Sequence, residues 1–477
     1  MNKIPLKKLT IFNLFKKIKK PVLGNERLLL ENSLGRFLAE DLKSEINLPP
    51  FKNSAVDGYA LLKDDILKKN KNLICSDRVA AGDKTPRKII IGQTTRIFTG
   101  AQMPPNASTV VMQENIILNK KNIIIKKMPF LGENCRLAGE DIKKGKKILS
   151  KGDKINSTNI NLVAAIGKKY VCLKKKINIG YFTSGNELRI PTEKLKNSEI
   201  NNSNYFSLKA LLNKPYINSN YLGVLKDREE MIKNSLLKNI NKYNVIITTG
   251  GASVGEEDHL IKIIKKLGMV YFWKAAIKPG RPLAVGKIKN TIIICLPGNP
   301  VSVHLLYGMM LRPFIEYLCC GKLLIPEGSL AKTNFSMKKK NKRLEWLRVN
   351  IDKKKRDLVV CKYHKQGSGM ISSVVFADGI LEIPENISEI LIAIPSLTRI
   401  RRREIIESLE SYQIIVRSLP SLAELVRGEL KIDDLRKIDV KDLLGRSPVK
   451  PNNKLLKVKI MDKVVLITGA GGSIGAE

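Results

Sequence analysis

The chain has 477 residues, 43% of them hydrophobic, which is too long for one core and sets the expectation of several domains. No apolar run approaches the ~18 residues needed to span a bilayer, and the basic N-terminus MNKIPLKKLTIFNLFKKIKK lacks a continuous apolar stretch and a small-residue cleavage site. The net charge of +41 arises from lysines scattered along the whole chain, and aromatic residues make up only 5%, so stacking platforms for bases are scarce and a general lysine bias is favoured over a nucleic-acid binder.

Cys75, Cys135, Cys172, Cys295, Cys319, Cys320 and Cys361 form no C-x-x-C pair, so neither a zinc ribbon nor a disulfide framework is indicated. A soluble cytoplasmic protein is expected, with no membrane and no nucleic acid among its partners.

Residues 1–45 alternate lysine with leucine and isoleucine at helical spacing. Residues 46–145 change to short β-like runs, KIIIG, TVVMQE and NIIIKK, broken by Gly, Pro and Asn, and predict a small β domain. Residues 146–175 return to a helical pattern around NINLVAAIG. The β domain is therefore expected as an insertion in a split helical domain made of 1–45 and 146–175.

From 176 to 326 the pattern is strand, glycine turn, helix. The strands INIGYF, YNVIITT and TIIICL run into TSGNEL, GGASVGEEDH and PGNPVSVH. This alternation predicts a mostly parallel sheet with helices on both faces, and the loops at the carboxyl ends of its strands are expected to converge on one crevice. A last β region covers 327–386. The overall expectation is an α/β multidomain protein: split helical domain, inserted β domain, three-layer α/β domain, small C-terminal β domain and a tail over 387–477.

Glycines in the three loops allow phosphate to approach the backbone, and N–H groups at a helix start favour anions. Asn186, Glu187 and Asp258 put polar groups there, and a carboxylate beside bound phosphates calls for Mg²⁺ between them. Lys274 and Lys278 in WKAAIKPGRP supply positive charge, and LPGNP, with Pro297 and Pro300, offers a turn able to frame an anion pocket. In the β domain, FKNSAVDGYA, RIFTGAQMPP and CRLAGEDI present Asp57, Thr99, Arg136 and Asp141. Composition leaves two readings open for each pair: Asp57 as a ligand contact or an Asp-Gly turn, and Arg136 with Asp141 as ligand contacts or a local ion pair. The three histidines, His259, His304 and His364, show no metal spacing.

LPPFKNSAVDGYAL, RIFTGAQMPPNASTVVMQEN, RLAGEDI, TSGNEL, ITTGGASVGEEDH, KAAIKPGRPLAVG and LPGNPVSV resemble, in order and spacing, the molybdopterin molybdenumtransferase family over residues 1–386. The resemblance implies a homodimer with a molybdopterin-binding α/β domain, its active site lying between that domain and the partner's β domain. It implies the reaction, in which molybdate replaces AMP on adenylylated molybdopterin with Mg²⁺, and an upstream molybdopterin adenylyltransferase that supplies the substrate. Molybdate and tungstate are not distinguished. Carried over by motif, Asp258, Asp57, Glu187, Lys274 and Lys278 are catalytic, with Asp258 and Glu187 holding the metal. Thr99, Arg136, Asp141, Asp227, Pro297, Pro300, Asn186 and Ser253 contact substrate.

Two positions depart from the family: Asn186 stands where an Asp is usual, and Lys52 replaces an acidic residue. Residues 387–477 resemble instead a truncated nucleotide-sugar dehydratase or epimerase, with TGAGGSIG at 468–475 fitting a dinucleotide turn. The junction falls inside the fourth domain, where ILIAI (390–394) is a candidate replacement for its last native strand. A weakened scaffold on the same fold is the alternative, which retention of Asp57, Asp258, Lys274 and Lys278 opposes. An NAD-dependent sugar dehydratase is a third reading, opposed by the truncation.

Overall fold

The computed structural model describes residues 5–250, 259–335, 337, 342–354 and 357–385, and the backbone of 389–392, 415–418 and 436–437. It divides into two compact units, 1–329 with 363–377, and 330–362 with 378–477. Among the described residues, no helix is long and apolar enough to cross a membrane.

The first unit opens with helix α1 (Lys8–Lys17), which buries Ile11, Phe12 and Phe15. Phe15 stacks on Phe314 at 4.0 Å and lies 6.2 Å from Phe272, so α1 packs on residues of the α/β region. Strand β1 (Asn25–Leu29) pairs antiparallel with the distant Tyr170–Lys174, with Arg27 opposite Cys172. Within the flanking stretches 25–45 and 146–175, helical spacing gives way to β structure; one α-helix, Asn159–Ala165, is described there. The reason lies in the runs themselves: YVCLK alternates exposed with buried side chains at period two, and short apolar runs are ambiguous between helix and strand.

Between these stretches the chain forms a six-stranded sheet from β2 (Gly58–Leu62), β3 (Asn72–Val79), β4 (Gln93–Ile97), β5 (Ala107–Met112), β6 (Ile116–Asn119) and β7 (Asn122–Ile125), in the order β5-β2-β4-β3-β7-β6. Successive side chains on a strand point to opposite faces, and both faces of β2 are covered. Ala60 and Leu62 join one apolar cluster with Ile97 and Val110, while Tyr59 and Leu61 join another with Leu73 and Val111. The sheet closes at a neck: Ser44 N–H donates to the Lys146 carbonyl at 3.0 Å and Gly145 N–H to the Ser44 carbonyl at 2.8 Å.

After β8 (Tyr170–Lys174) come β9 (Ile177–Ser184), β10 (Ile217–Leu225), β11 (Val245–Thr249), β12 (Met269–Trp273), β13 (Ala284–Ile288) and β14 (Thr291–Leu296). Their order is β10-β9-β11-β14-β13-β12; the first four are parallel, β13 runs antiparallel to β14, and β12 runs antiparallel to β13. Helices Glu229–Asn239 and His259–Leu267 bury Ile232, Leu236, Leu260 and Ile264 against Phe182, Ile246 and Ile293. Helices Ser203–Leu212 and Pro300–Leu306 pack on each other and on the same sheet, outside that cluster.

In the second unit, β15 (Leu344–Ile351) pairs antiparallel with β16 (Val359–Lys362) and β17 (Gly379–Ile383). Trp346 is fully buried and its Nε1 donates to Glu382 at 2.8 Å. The segment expected to replace a strand of this sheet behaves differently: Glu389–Ile392 pairs in parallel with Ile415–Ser418, in a separate three-stranded sheet. TGAGGSIG lies outside the described residues.

Candidate active site

From β9 the chain crosses to β10 on one side of the sheet and then to β11 on the other. This makes the carboxyl ends of β9 and β11 the topological switch point, where open α/β sheets bind ligands. The three glycine loops do meet there. A Cβ on Gly250 would lie 2.7 Å from the Ser184 carbonyl oxygen, and one on Gly298 would lie 3.6 Å from the Gly250 α-carbon. Gly250 also has φ of +85°, which side chains rarely adopt. Only glycine permits this contact between the loops after β9 and β11. The Gly298 carbonyl in turn accepts a hydrogen bond from Asn204 Nδ2 at 2.7 Å.

Several polar groups at this edge have no hydrogen-bond partner among the described residues: Thr248 Oγ1, Thr249 Oγ1 and Asn204 Oδ1, all buried. Such groups are costly unless a ligand or water satisfies them. Sequence reading passed over all three. The position of Thr248 and Thr249, directly before the glycine pair at 250–251, was the available signal.

Asp227 and Glu187 approach the same turn. Ser184 Oγ donates to Asp227 Oδ1 at 3.0 Å, and the exposed Glu187 folds its carboxylate over the Gly185 α-carbon. Asn186 is exposed, and its carbonyl accepts from Arg189 at 3.0 Å. Lys274 sits half-buried with its ammonium 4.2 Å from the Trp273 ring centroid, a cation–π distance. Lys278 is exposed, Pro297 is buried, and Pro300 opens the helix that follows. Val301 N–H in that helix donates to the Ser368 carbonyl at 3.2 Å, which ties the QGSGM segment to the LPGNP turn. Ser253 and Asp258 lie outside the described residues.

A second group stands on the β domain. The Asp57 carboxylate accepts from the backbone N–H and the hydroxyl of Thr99, and these bonds hold its pKa below the usual carboxylate value, with the Arg96 charge assisting. Arg96 lies between the Tyr59 and Phe98 rings, at 4.8 and 4.9 Å, and donates to Gln113. Arg96 and Gln113 lie near the two ends of RIFTGAQMPPNASTVVMQEN, and nothing in the spacing of that segment sets them apart from its other polar residues. The Asp-Gly turn reading fails: Gly58 is the first residue of β2, and a Cβ there would overlap the Val111 carbonyl oxygen. Arg136 and Asp141 are both exposed and form no ion pair with each other among the described residues, so that alternative fails too. Lys52 is turned inward, its ammonium donating to the Ala107 carbonyl at 2.8 Å.

Fold and crevice define a multidomain α/β protein with a glycine-lined topological switch point. Three family models match the chain: "MoeA N-terminal region (domain I and II)" over residues 9–167, "Probable molybdopterin binding domain" over 180–317, and "MoeA C-terminal region (domain IV)" over 331–391. The molybdopterin molybdenumtransferase of Haemophilus influenzae is 34% identical over 294 residues, covering 61% of this chain and 72% of that protein. That of Staphylococcus epidermidis is 30% identical over 365 residues, covering 76% of this chain and 87% of the relative. A crystal structure of the molybdopterin biosynthesis MoeA protein from Pyrococcus horikoshii superposes with a TM-score of 0.69 at 27% identity, covering 80% of this chain and 96% of that one. The chain belongs to the MoeA family of molybdopterin molybdenumtransferases.

Proposed function

We propose that the protein inserts molybdate into adenylylated molybdopterin, with release of AMP, as a step of molybdenum cofactor biosynthesis. The observation that carries this reading is the meeting of the loops at Ser184, Gly250 and Gly298, with Thr248 and Thr249 hydroxyls at the strand ends that have no partner among the described residues. A pyrophosphate can approach bare backbone there, as the phosphates of the substrate require.

The roles follow from charge. Lys274 and Lys278 hold anionic groups, molybdate or phosphate, while Pro297 and Pro300 frame the pocket. Asp57, kept ionised by Thr99, and the exposed Arg136 and Asp141 serve the substrate from the β domain, in a homodimer whose site is completed by the partner's β domain. Two carboxylates converging on Ser184–Gly185 are hard oxygen donors of the kind Mg²⁺ takes, so the donor type fits, and Glu187, Asp227 and Asp258 are the residues that would hold it. Bound there, Mg²⁺ would offset repulsion between these carboxylates and the pyrophosphate. A cytoplasmic setting and a molybdopterin adenylyltransferase as supplier accord with the same substrate.

Residues beyond 391 lie past the family matches, and we read those from 410 onward as dispensable for the transfer and unable to bind NAD. A chain ending at residue 409 should keep full activity, and saturable NAD binding by the intact chain, lost on removal of TGAGGSIG, would overturn that reading. The central test is conversion of adenylylated molybdopterin with molybdate and Mg²⁺, following AMP release and cofactor formation. A folded protein that binds the substrate but releases no AMP would point to the scaffold alternative.

A further inference from the structure

We propose that the main chain of Leu6 is a positioning element for Lys274, so that the N-terminal segment forms part of the anion site. The inference rests on the reading of Lys274 as a contact to the anionic substrate.

Lys274 has φ of +79°, a left-handed conformation unusual for a residue with a long side chain. Such a conformation persists only where the surroundings over-determine it. Here they do so from both sides. Lys274 N–H donates to the Leu283 carbonyl at 3.0 Å, and the Lys274 carbonyl accepts from Leu6 N–H at 3.0 Å. Two residues on, Ala276 N–H donates back to the Leu6 carbonyl at 2.7 Å, while Ala275 N–H donates to the Arg281 carbonyl at 2.8 Å. Leu6 thus brackets Lys274 and Ala276 with its one donor and one acceptor.

Leu6 is itself fixed. Two residues later α1 begins, and its Ile11, Phe12 and Phe15 are at most 1% exposed. Phe15 packs near Phe272, the residue before Trp273, and Trp273 offers its ring to the Lys274 ammonium. The same core therefore holds both ends of the bracket. Backbone conformation sets where a side chain can point, so fixing φ at residue 274 fixes where its ammonium can reach.

The test uses the full chain. Of the two backbone bonds of Leu6, Leu6→Pro removes only the one its N–H makes to Lys274; Leu6→Ala keeps both and controls for the lost side chain, and Lys274→Met removes the charge. We expect Leu6→Pro to raise KM for adenylylated molybdopterin about tenfold with kcat within about twofold, and Leu6→Ala to stay near the parent. In a Trp346→Phe background, which leaves Trp273 as the single tryptophan, Leu6→Pro should also change the emission as the ammonium leaves the ring. A merely structural role would lower the melting point without this KM and emission signature. Should Leu6→Pro not fold, a chain beginning at Lys7 removes both bonds and carries the same readouts. Parental KM and emission in the folded variant would overturn the inference. An unchanged KM for Lys274→Met would instead overturn the substrate-contact reading, while the emission still reports on the bracket.

Discussion

The Asp57 carboxylate takes two hydrogen bonds from one residue, the backbone N–H of Thr99 at 2.8 Å and its hydroxyl at 2.7 Å. Both bonds favour the charged form, the N–H more strongly, and Arg96 adds to them. Thr99→Val removes one of the two. The Asp57 pKa should then rise toward the ordinary value, and the acid limb of the pH–rate profile should move to higher pH. Because the folded-state pKa is depressed, the group's contribution to stability is present above its unfolded pKa and is lost as pH falls through the folded one. Asp57→Asn, which keeps the shape and removes the charge, should reduce transfer about 100-fold, the scale of losing one preorganised electrostatic contact. An unshifted acid limb in Thr99→Val would separate Asp57 from the chemistry.

Gly250→Ala should damage activity more than stability. The left-handed backbone costs a residue with a β-carbon roughly 1–2 kcal/mol, and the new methyl must push the Ser184 carbonyl oxygen away from 2.7 Å. The loops would part at the point where the phosphates are proposed to sit. A melting curve paired with AMP release measures both effects, and a stable variant with parental turnover would show that the contact between these loops is not required.

A shared site makes a sharp prediction for mixtures. Asp57→Ala and Asp258→Ala proteins, each inactive alone, should recover part of the activity when subunits exchange, because every heterodimer then carries one intact site and one doubly impaired site. The check is AMP release after exchange has been verified by mass labelling. No recovery despite exchange would place both residues in a site within one chain.

The three strand–glycine loops were legible because each strand is an apolar run that stops at a glycine, and that pattern depends only on neighbours in sequence. Their meeting point was an expectation from topology; which two of them flank the switch point depends on the crossover from Ser184 through β10 to Val245, which no local pattern encodes. Gly58 illustrates a different limit. Its need for glycine comes from the Val111 carbonyl, far along the chain, so Asp57-Gly58 reads locally as a turn. Lys274 illustrates a third, since nothing about a lysine announces a left-handed backbone. The β1–β8 ladder was missed because its strands are only five residues each and pair across about 140 residues of chain, so long-range pairing rather than propensity decides them.

The neck at Ser44 and Lys146 bears on how the chain reaches this structure. β1 and β8 lie on opposite sides of the inserted sheet in sequence, so their ladder is a pairing of high contact order, a kind that forms slowly. If the insert collapses first, its own contacts bring residues 44 and 146 together, and the two strands then search across a far shorter effective path. In that order of events the insert would act as a clasp that delivers the strands to each other. Pulse-labelled hydrogen exchange should accordingly find β2 and β5 protected before β1 and β8, and the reverse order would mean that the outer ladder nucleates folding by itself.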